Sequence, residues 1–284
     1  MTSACEFVDT GDGLRLAMRS QGSGGALIVA PAMSWMADDL TELATAHTLV
    51  SYDVRGQGRS DRATDQQIGF ERDVDDLDTI RRAVGAERVH LLGWSYHGAV
   101  AARYAWRNPD RVASMALVGP VAPRAAPHWR QYLASFGKRL DPARLAALEQ
   151  HRRAGLKSSD PAAWCRAHTD LILRVYAEDA SCLSSMKSSP CQRPNLDPEL
   201  VNQQMLKVIE AMGDYDWREE MQGLATKTLI LHGDQDPVPI EGSHEWLDVM
   251  TSARLEVLDG SGHLPWLEVP DRFFPAVDAF FGDP

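Results

Sequence analysis

No stretch of the sequence approaches the roughly 20 consecutive apolar residues that a membrane-spanning helix needs. The start, Met1-Thr2-Ser3-Ala4-Cys5-Glu6, has no basic stretch leading into an apolar one, so no secretory leader is expected. Positive charge is also in short supply: 29 Lys and Arg face 40 Asp and Glu, a formal net charge of −11. That balance argues against nucleic acid or an anionic membrane as a partner, since both attract basic surfaces. Cysteine is scarce, at Cys5, Cys165, Cys182 and Cys191, with no Cys-x-x-Cys pair to hold a metal or a redox disulfide. The four are read as free thiols of a cytoplasmic protein, with a Cys182–Cys191 disulfide as the alternative. No internal repeat or low-complexity tract is evident. Because 44% of residues are hydrophobic, the chain is expected to fold, and 284 residues can bury a core without disulfides or metals.

The first 120 residues or so alternate strand and helix signals. Segments 5–9 and 14–19 read as strands joined by the turn sequence Thr10-Gly11-Asp12-Gly13. The run Ala26-Leu27-Ile28-Val29-Ala30 is continuously apolar, as in a strand buried on both faces. Strands are also expected at 47–52, 89–92 and 113–118. Between them Phe70, Val74, Leu77, Ile80 and Val84 recur at helical spacing. The early acids of this helix (Glu71, Asp73, Asp75, Asp76) and the late Arg81 and Arg82 suit the helix dipole. The Ala-rich segment 99–105 reads as a buried helix. Strand signals then stop from about Pro123 to Gly213. Three Asp-Pro pairs, Asp141-Pro142, Asp160-Pro161 and Asp197-Pro198, mark helix starts there, because Asp caps and Pro fits the first helical turn. The Ser- and Pro-rich segment 181–194 reads as an irregular loop. Strands return at 228–232 and 255–258, with helices at 244–250 and 271–281; Pro275 should kink the last one or delay its start. The expected architecture is α/β: a mostly parallel sheet with helices on both faces, interrupted by a helical cap. The core is residues 1–122 and 214–284, and the cap residues 123–213.

Three segments carry chemistry. Gly93-Trp94-Ser95-Tyr96-His97-Gly98 lies between a strand and a helix, the setting of a Gly-x-Ser-x-Gly nucleophile elbow. Gly93 is in place, but His97 stands where the second glycine is usual, and Gly98 follows it. A serine needs a base beside it and a carboxylate to orient that base. His232-Gly233-Asp234-Gln235-Asp236-Pro237 sets two aspartates just past a strand, and Gly260-Ser261-Gly262-His263 sets a histidine in a loop past the next one. The order Ser95, Asp236, His263 suits this architecture. Asp234 is the rival carboxylate and His97 the rival base.

With these segments in view, the sequence resembles the α/β-hydrolase superfamily along the whole chain outside the cap. Asp53-Val54-Arg55-Gly56-Gln57-Gly58-Arg59-Ser60 is similar to its Asp-x-Arg-Gly-x-Gly-x-Ser loop, where Asp53 and Arg55 pin the chain. Asn108-Pro109-Asp110-Arg111-Val112 is similar to its link into the sixth strand, and Gly233–Asp236 to its acid turn, which favours Asp236. Gly119–Arg124 and Asp214–Arg218, on either side of the cap, resemble prolyl aminopeptidases and small-molecule esterases. The resemblance implies an eight-stranded sheet and a Ser-His-Asp triad, and no metal or organic cofactor. Relatives usually carry His-Gly where this chain has Pro31-Ala32, and proline has no N–H to give. Alignment with the family puts the oxyanion donors at the backbone N–H of Met33 and Tyr96, with Ala32 as the alternative to Met33.

The expected activity is hydrolysis of a small, fairly apolar ester or lactone. An aminopeptidase or amidase, a carbon–carbon bond hydrolase and a ligand-binding protein on the same scaffold are the alternatives. The pocket is expected between core and cap, lined by Met33, Trp35, Trp94, Tyr96, His97 and Trp266. Trp129, Trp164 and Tyr176 are weaker candidates from the cap. Glu178, Asp179 and Glu210 are the cap carboxylates that could hold a substrate ammonium.

Overall fold

A computed structural model describes residues 4–282. All eight expected strands form. They are β1 (Glu6–Asp9), β2 (Arg15–Gln21), β3 (Leu27–Pro31), β4 (Thr48–Tyr52), β5 (Val89–Trp94), β6 (Val112–Val118), β7 (Lys227–Gly233) and β8 (Ala253–Leu258). One sheet holds them in the order β1-β2-β4-β3-β5-β6-β7-β8. Only the β1–β2 and β2–β4 pairings are antiparallel.

Period-two alternation sends neighbouring side chains of each central strand into different cores. Val29, Val50, Leu91 and Ile230 enter the layer that contains α2 (Phe70–Ala83) and α3 (Tyr96–Arg107). Ile28, Leu49, Leu92 and Leu229 enter the opposite layer, which contains Met36 of α1 (Met33–Met36). Because both faces are covered, β3 and the centres of β5 (Leu91, Leu92) and β7 (Leu229–Leu231) are runs of consecutive apolar residues rather than alternating ones.

Between β6 and β7 come α4 (His128–Arg139), α5 (Pro142–Arg153), α6 (Leu156–Ser159), α7 (Pro161–Tyr176) and α8 (Pro198–Met212), the inserted helical cap. Each Asp-Pro pair starts a helix. Asp141 accepts from the N–H groups of Ala143 and Arg144, Asp160 from Ala163 and Asp197 from Leu200. Such caps stabilise a helix by about 1 kcal/mol each. The cap has its own small core of Leu148, Trp164 and Leu171, so Trp164 is a packing residue. The core resumes with α9 (Ile240–Val249), α10 (Pro265–Glu268) and α11 (Pro270–Gly282). Pro275 lies inside α11 and does not delay its start, while Phe273, Phe274, Val277, Phe280 and Phe281 bury its apolar face. Among the described residues no helix is long and apolar enough to cross a membrane.

The cysteine expectation is corrected. Cys165 and Cys191 form a disulfide, with Cα atoms 5.7 Å apart. Cys5 and Cys182 are the free thiols, so the Cys182–Cys191 alternative also falls. The segment after α7 folds back over that helix and brings Cys191 to its first turn, within the range a disulfide can bridge.

Candidate active site

Ser95 is the single residue between β5 and α3, with φ 56° and ψ −123°. Among the described residues, Ser95 and Ala32 are the non-glycine residues with positive φ. Such conformations cost of order 1–3 kcal/mol and persist where surrounding structure enforces them. Both stand immediately before a helix. The first residues of those helices, Met33 and Tyr96, therefore carry N–H groups with no intrahelical acceptor. The displaced glycine of the elbow has a steric reason: a Cβ on Gly98 would lie 2.8 Å from Cβ of Pro120. The tight approach falls one residue later than the motif has it, and His97 is free to carry a side chain.

His263 and Asp236 meet across the loops after β8 and β7. The Nδ1 atom of His263 is 2.7 Å from Oδ2 of Asp236, and both side chains are buried. The other Asp236 oxygen accepts from Val238 N–H at 2.7 Å. Gly119 presses on the pair; a Cβ there would lie 2.6 Å from Oδ2 of Asp236 and 2.7 Å from Nδ1 of His263. Nε2 of His263 is buried with no hydrogen-bond partner, which leaves it available to a hydroxyl. Asp234 instead accepts from the N–H groups of Gly260 and Ser261, tying down the turn before His263.

The backbone of His263 is held as firmly as its ring. Its N–H donates to the Tyr176 carbonyl at 2.8 Å, and its carbonyl accepts from the Trp94 indole at 2.9 Å. One carboxylate, Glu268, accepts from Gly262 and Leu264 of this loop and from Glu178 just past α7. Sequence reasoning missed Glu268, whose shorter contacts are with backbone amides, which have no side-chain signature, the Ser261 hydroxyl standing farther off at 3.4 Å. It also missed the burial of Asp73, which read as an ordinary dipole-matched acid. Tyr96 donates its hydroxyl to Asp73 at 2.8 Å. Burial, reinforced by the neighbouring charge of Asp76, raises the Asp73 carboxyl to about 7, against the opposing pull of the Tyr96 hydrogen bond and of Arg55.

A cavity of about 750 Å³ lies between core and cap, with Ser95 in its wall. Trp35, Trp94, Tyr96, His97, Trp129 and Tyr176 line it, together with Ala32. Tyr132 and Tyr176 pair their hydroxyls at 3.2 Å on the cap side. Met33 packs its side chain with Ala17 and Ala37, away from the lining. Trp266 also lies outside the lining and packs edge-on against Trp94, centroids 5.3 Å apart. Of the three cap carboxylates, Glu210 alone is in the wall; Glu178 faces Arg139 and Asp179 caps its own turn. A charged group on the wall that sequence reasoning did not single out is Arg124, which donates to both oxygens of Glu245 on α9.

Comparison with known proteins agrees with this fold. The chain is 23% identical over 243 residues to a proline iminopeptidase of Heyndrickxia coagulans, covering 85% of this chain and 83% of that one. The structure of serine hydrolase CCSP0084 from Cycloclasticus zankles superposes with a TM-score of 0.70 at 20% identity, covering 98% and 97% of the two chains. That of 2-hydroxy-6-oxo-6-phenylhexa-2,4-dienoate hydrolase from Rhodococcus sp. strain RHA1 gives 0.70 at 21% identity, covering 99% of each. A family model for the alpha/beta hydrolase fold matches residues 24–270, and the chain belongs to that family.

Proposed function

We propose that this chain is a serine hydrolase that works through an acyl-enzyme intermediate, and that its substrate is a small, mostly apolar ester or lactone. The observation that carries the reading is the imidazole of His263, anchored by Asp236 and by its own backbone, with Nε2 unpaired and its ring packed on Trp94 and Tyr176, two residues of the cavity wall that also holds Ser95. Ser95 Oγ attacks the carbonyl carbon while His263 Nε2 takes its proton. Asp236 holds the Nδ1–H tautomer and stabilises the imidazolium. The Met33 and Tyr96 N–H groups receive the tetrahedral oxyanion; losing one such donor typically costs about 10²–10³ in kcat. The imidazolium then protonates the leaving alkoxide. Water, deprotonated by the same imidazole, releases the acid and restores Ser95.

Two features favour an ester over a peptide N-terminus. The wall is dominated by aromatic and aliphatic side chains, and a substrate ammonium would find one exposed carboxylate there, Glu210. A panel of p-nitrophenyl esters of increasing chain length, set against amino-acid p-nitroanilides, tests the reading. Turnover of the longer or aromatic esters, with loss of nearly all of it in Ser95→Ala, is expected. Faster cleavage of anilides than of esters would move the assignment to aminopeptidases. A Ser95 that resists a fluorophosphonate probe would move it to a ligand-binding role.

A further inference from the structure

Beside the main cavity lies a second, smaller one that no step described above uses. Its volume is about 40 Å³, and it sits where α1, the loop after β4, α7 and α8 meet beneath the segment that joins α7 to α8. Trp35, Gln57, Ile172, Val201 and Asn202 line both cavities, so the two adjoin. Trp35 packs on Trp94, the residue before Ser95, with ring centroids 6.0 Å apart.

The two spaces differ in character. The main wall is mostly aromatic and aliphatic, whereas the side pocket gathers hydrogen-bonding groups. Among the described residues, the Trp35 indole N–H, the Gln57 amide and the His168 ring make no hydrogen bond, and none of them is sealed from solvent. Asn195 gives its amide N–H groups to the carbonyls of Gly58 and Ser60 at 3.2 and 2.8 Å, which leaves its own side-chain oxygen spare and likewise open. The lining has no Lys, Arg, Asp or Glu, and burial holds the His168 ring below its ordinary value, so these groups are neutral.

The outer wall of the pocket is fixed. The two Asn195 bonds, the Cys165–Cys191 bridge and the Asp39 carboxylate, which accepts from the N–H groups of Lys187 and Ser188 at 2.7 and 3.0 Å, all tie it down. The polar atoms therefore do not collapse onto one another, and fixed donors and acceptors favour a ligand that supplies both. The space admits about three water-sized spheres, which suits a terminal hydroxymethyl or carboxamide. We propose that this side pocket binds the far end of the acyl chain, taking a neutral terminus that both donates and accepts a hydrogen bond, a hydroxyl or a primary amide. The acyl side is assigned because the leaving group must lie beside His263, which protonates it. His263 packs on Tyr176, and Tyr176 is not part of the side pocket. A methyl terminus leaves the donors and acceptors unmatched, and a carboxylate or ammonium meets no opposite charge there. The favoured substrates are then ω-hydroxyacyl or ω-carbamoylacyl esters rather than plain alkanoyl ones. This rests on the serine hydrolase reading and deepens it.

The test uses p-nitrophenyl esters of 6-hydroxyhexanoate, 8-hydroxyoctanoate and 10-hydroxydecanoate. Each is set against the alkanoate that carries a methyl in place of the hydroxyl: heptanoate, nonanoate or undecanoate. Each kcat/KM is divided by the spontaneous hydrolysis rate of that ester. A hydroxyl that ends on the apolar wall is a burden, so at most lengths the hydroxy ester should be the poorer substrate. At the length that reaches the side pocket the order should invert, with the hydroxy ester preferred by about tenfold, the scale of one or two neutral hydrogen bonds. Gln57→Leu, which removes the amide at similar size, should bring that maximum to one or below, and His168→Phe should lower it as well. A wild-type ratio below one at every length overturns the proposal. So does a maximum that both variants leave intact, and so does a preference for the half-ester of the matching dicarboxylic acid over the hydroxy ester. If Gln57→Leu does not fold, the wild-type ratios and His168→Phe decide alone. Fluorophosphonate labelling of Ser95 without any inversion sinks the side-pocket assignment and spares the serine mechanism. Undiminished turnover by Ser95→Ala sinks the mechanism itself.

Discussion

Asp73 offers the sharpest stability test, because its carboxyl is fully buried beside the elbow and yet must face neutral pH. Its folded value is raised to about 7 from an ordinary 3.8. A group raised in this way favours folding below about pH 4 and loses that advantage as pH climbs towards 7. Between those limits the unfolded chain is ionised while the folded one still holds the proton. The difference of about 3 units corresponds to about 4 kcal/mol at 1.36 kcal/mol per unit. Burial sets it, reinforced by Asp76 and opposed by the Tyr96 hydrogen bond and by Arg55. Asp73→Asn keeps an acceptor for the Tyr96 hydroxyl and removes the titration. Urea unfolding of both proteins at pH 4 and pH 8 gives four stabilities. The variant should gain about 4 kcal/mol on wild type between the two pH values. His97 works in the opposite direction: its value is held at about 4, so its contribution is complete above about 6.5 and declines as pH falls. That effect is common to both proteins and cancels in the difference. A wild-type-to-variant gap that does not change with pH would mean that Asp73 is ionised in the folded protein, and the burial argument would be wrong.

Two further outcomes follow from contacts outside the triad. Glu268→Gln should loosen the base loop and lower kcat by about 10–100-fold, the scale of a small misplacement of a catalytic group, with a smaller change in KM; an unaltered rate of fluorophosphonate labelling would show that the clamp is unnecessary. The Cys165–Cys191 bridge closes a separation of 26 residues and should contribute about 3 kcal/mol. Thiol titration of the unfolded, unreduced protein should give two reactive cysteines and Cys191→Ser a lower Tm, whereas four reactive thiols would refute the bridge.

What could be read in the sequence was whatever depends on chain-local pattern. Strands β3, β5 and β7 stood out because burial on both faces gives each a run of consecutive apolar residues. Ser95, Asp236 and His263 stood out because each lies in a turn or loop just past a strand. The Asp-Pro helix starts were legible because a cap and a fixed φ act within three residues. Tertiary contacts were not legible in the same way. An acid in the first turn of α2 satisfies the helix dipole whether it is solvated or buried, so Asp73 looked like Glu71. Pairing Cys165 with Cys191 depends on how the segment after α7 returns across that helix, which no spacing encodes. Glu268 acts on backbone amides, and those are present at almost every residue. The slip of the second elbow glycine to Gly98 is set by Pro120, far along the chain.

The way the cap is attached decides which of its parts can move without affecting the chemistry. The end of α7 is joined to the base loop twice, by His263 N–H on the Tyr176 carbonyl and by Glu268 on the N–H of Glu178. Leu173 and Ala177 are also buried in the same apolar layer as Trp94 and Leu264. Helix α8 meets the core differently, through Val208, Met205 and Met212 packed on the layer of α2 and α3, through Gln204 to the Ala63 carbonyl and through an exposed ion pair between Lys207 and Asp65. An exposed pair of this kind contributes little. Lifting the end of α7 would therefore displace the imidazole, while α8 places Met205, Leu206 and Ile209 on the cavity wall. Substitutions on the inner face of α8 should then act mainly on which acyl groups enter. Substitutions around Tyr176 should act on the proton transfer as well, because the carbonyl at that position is part of what holds His263 in place.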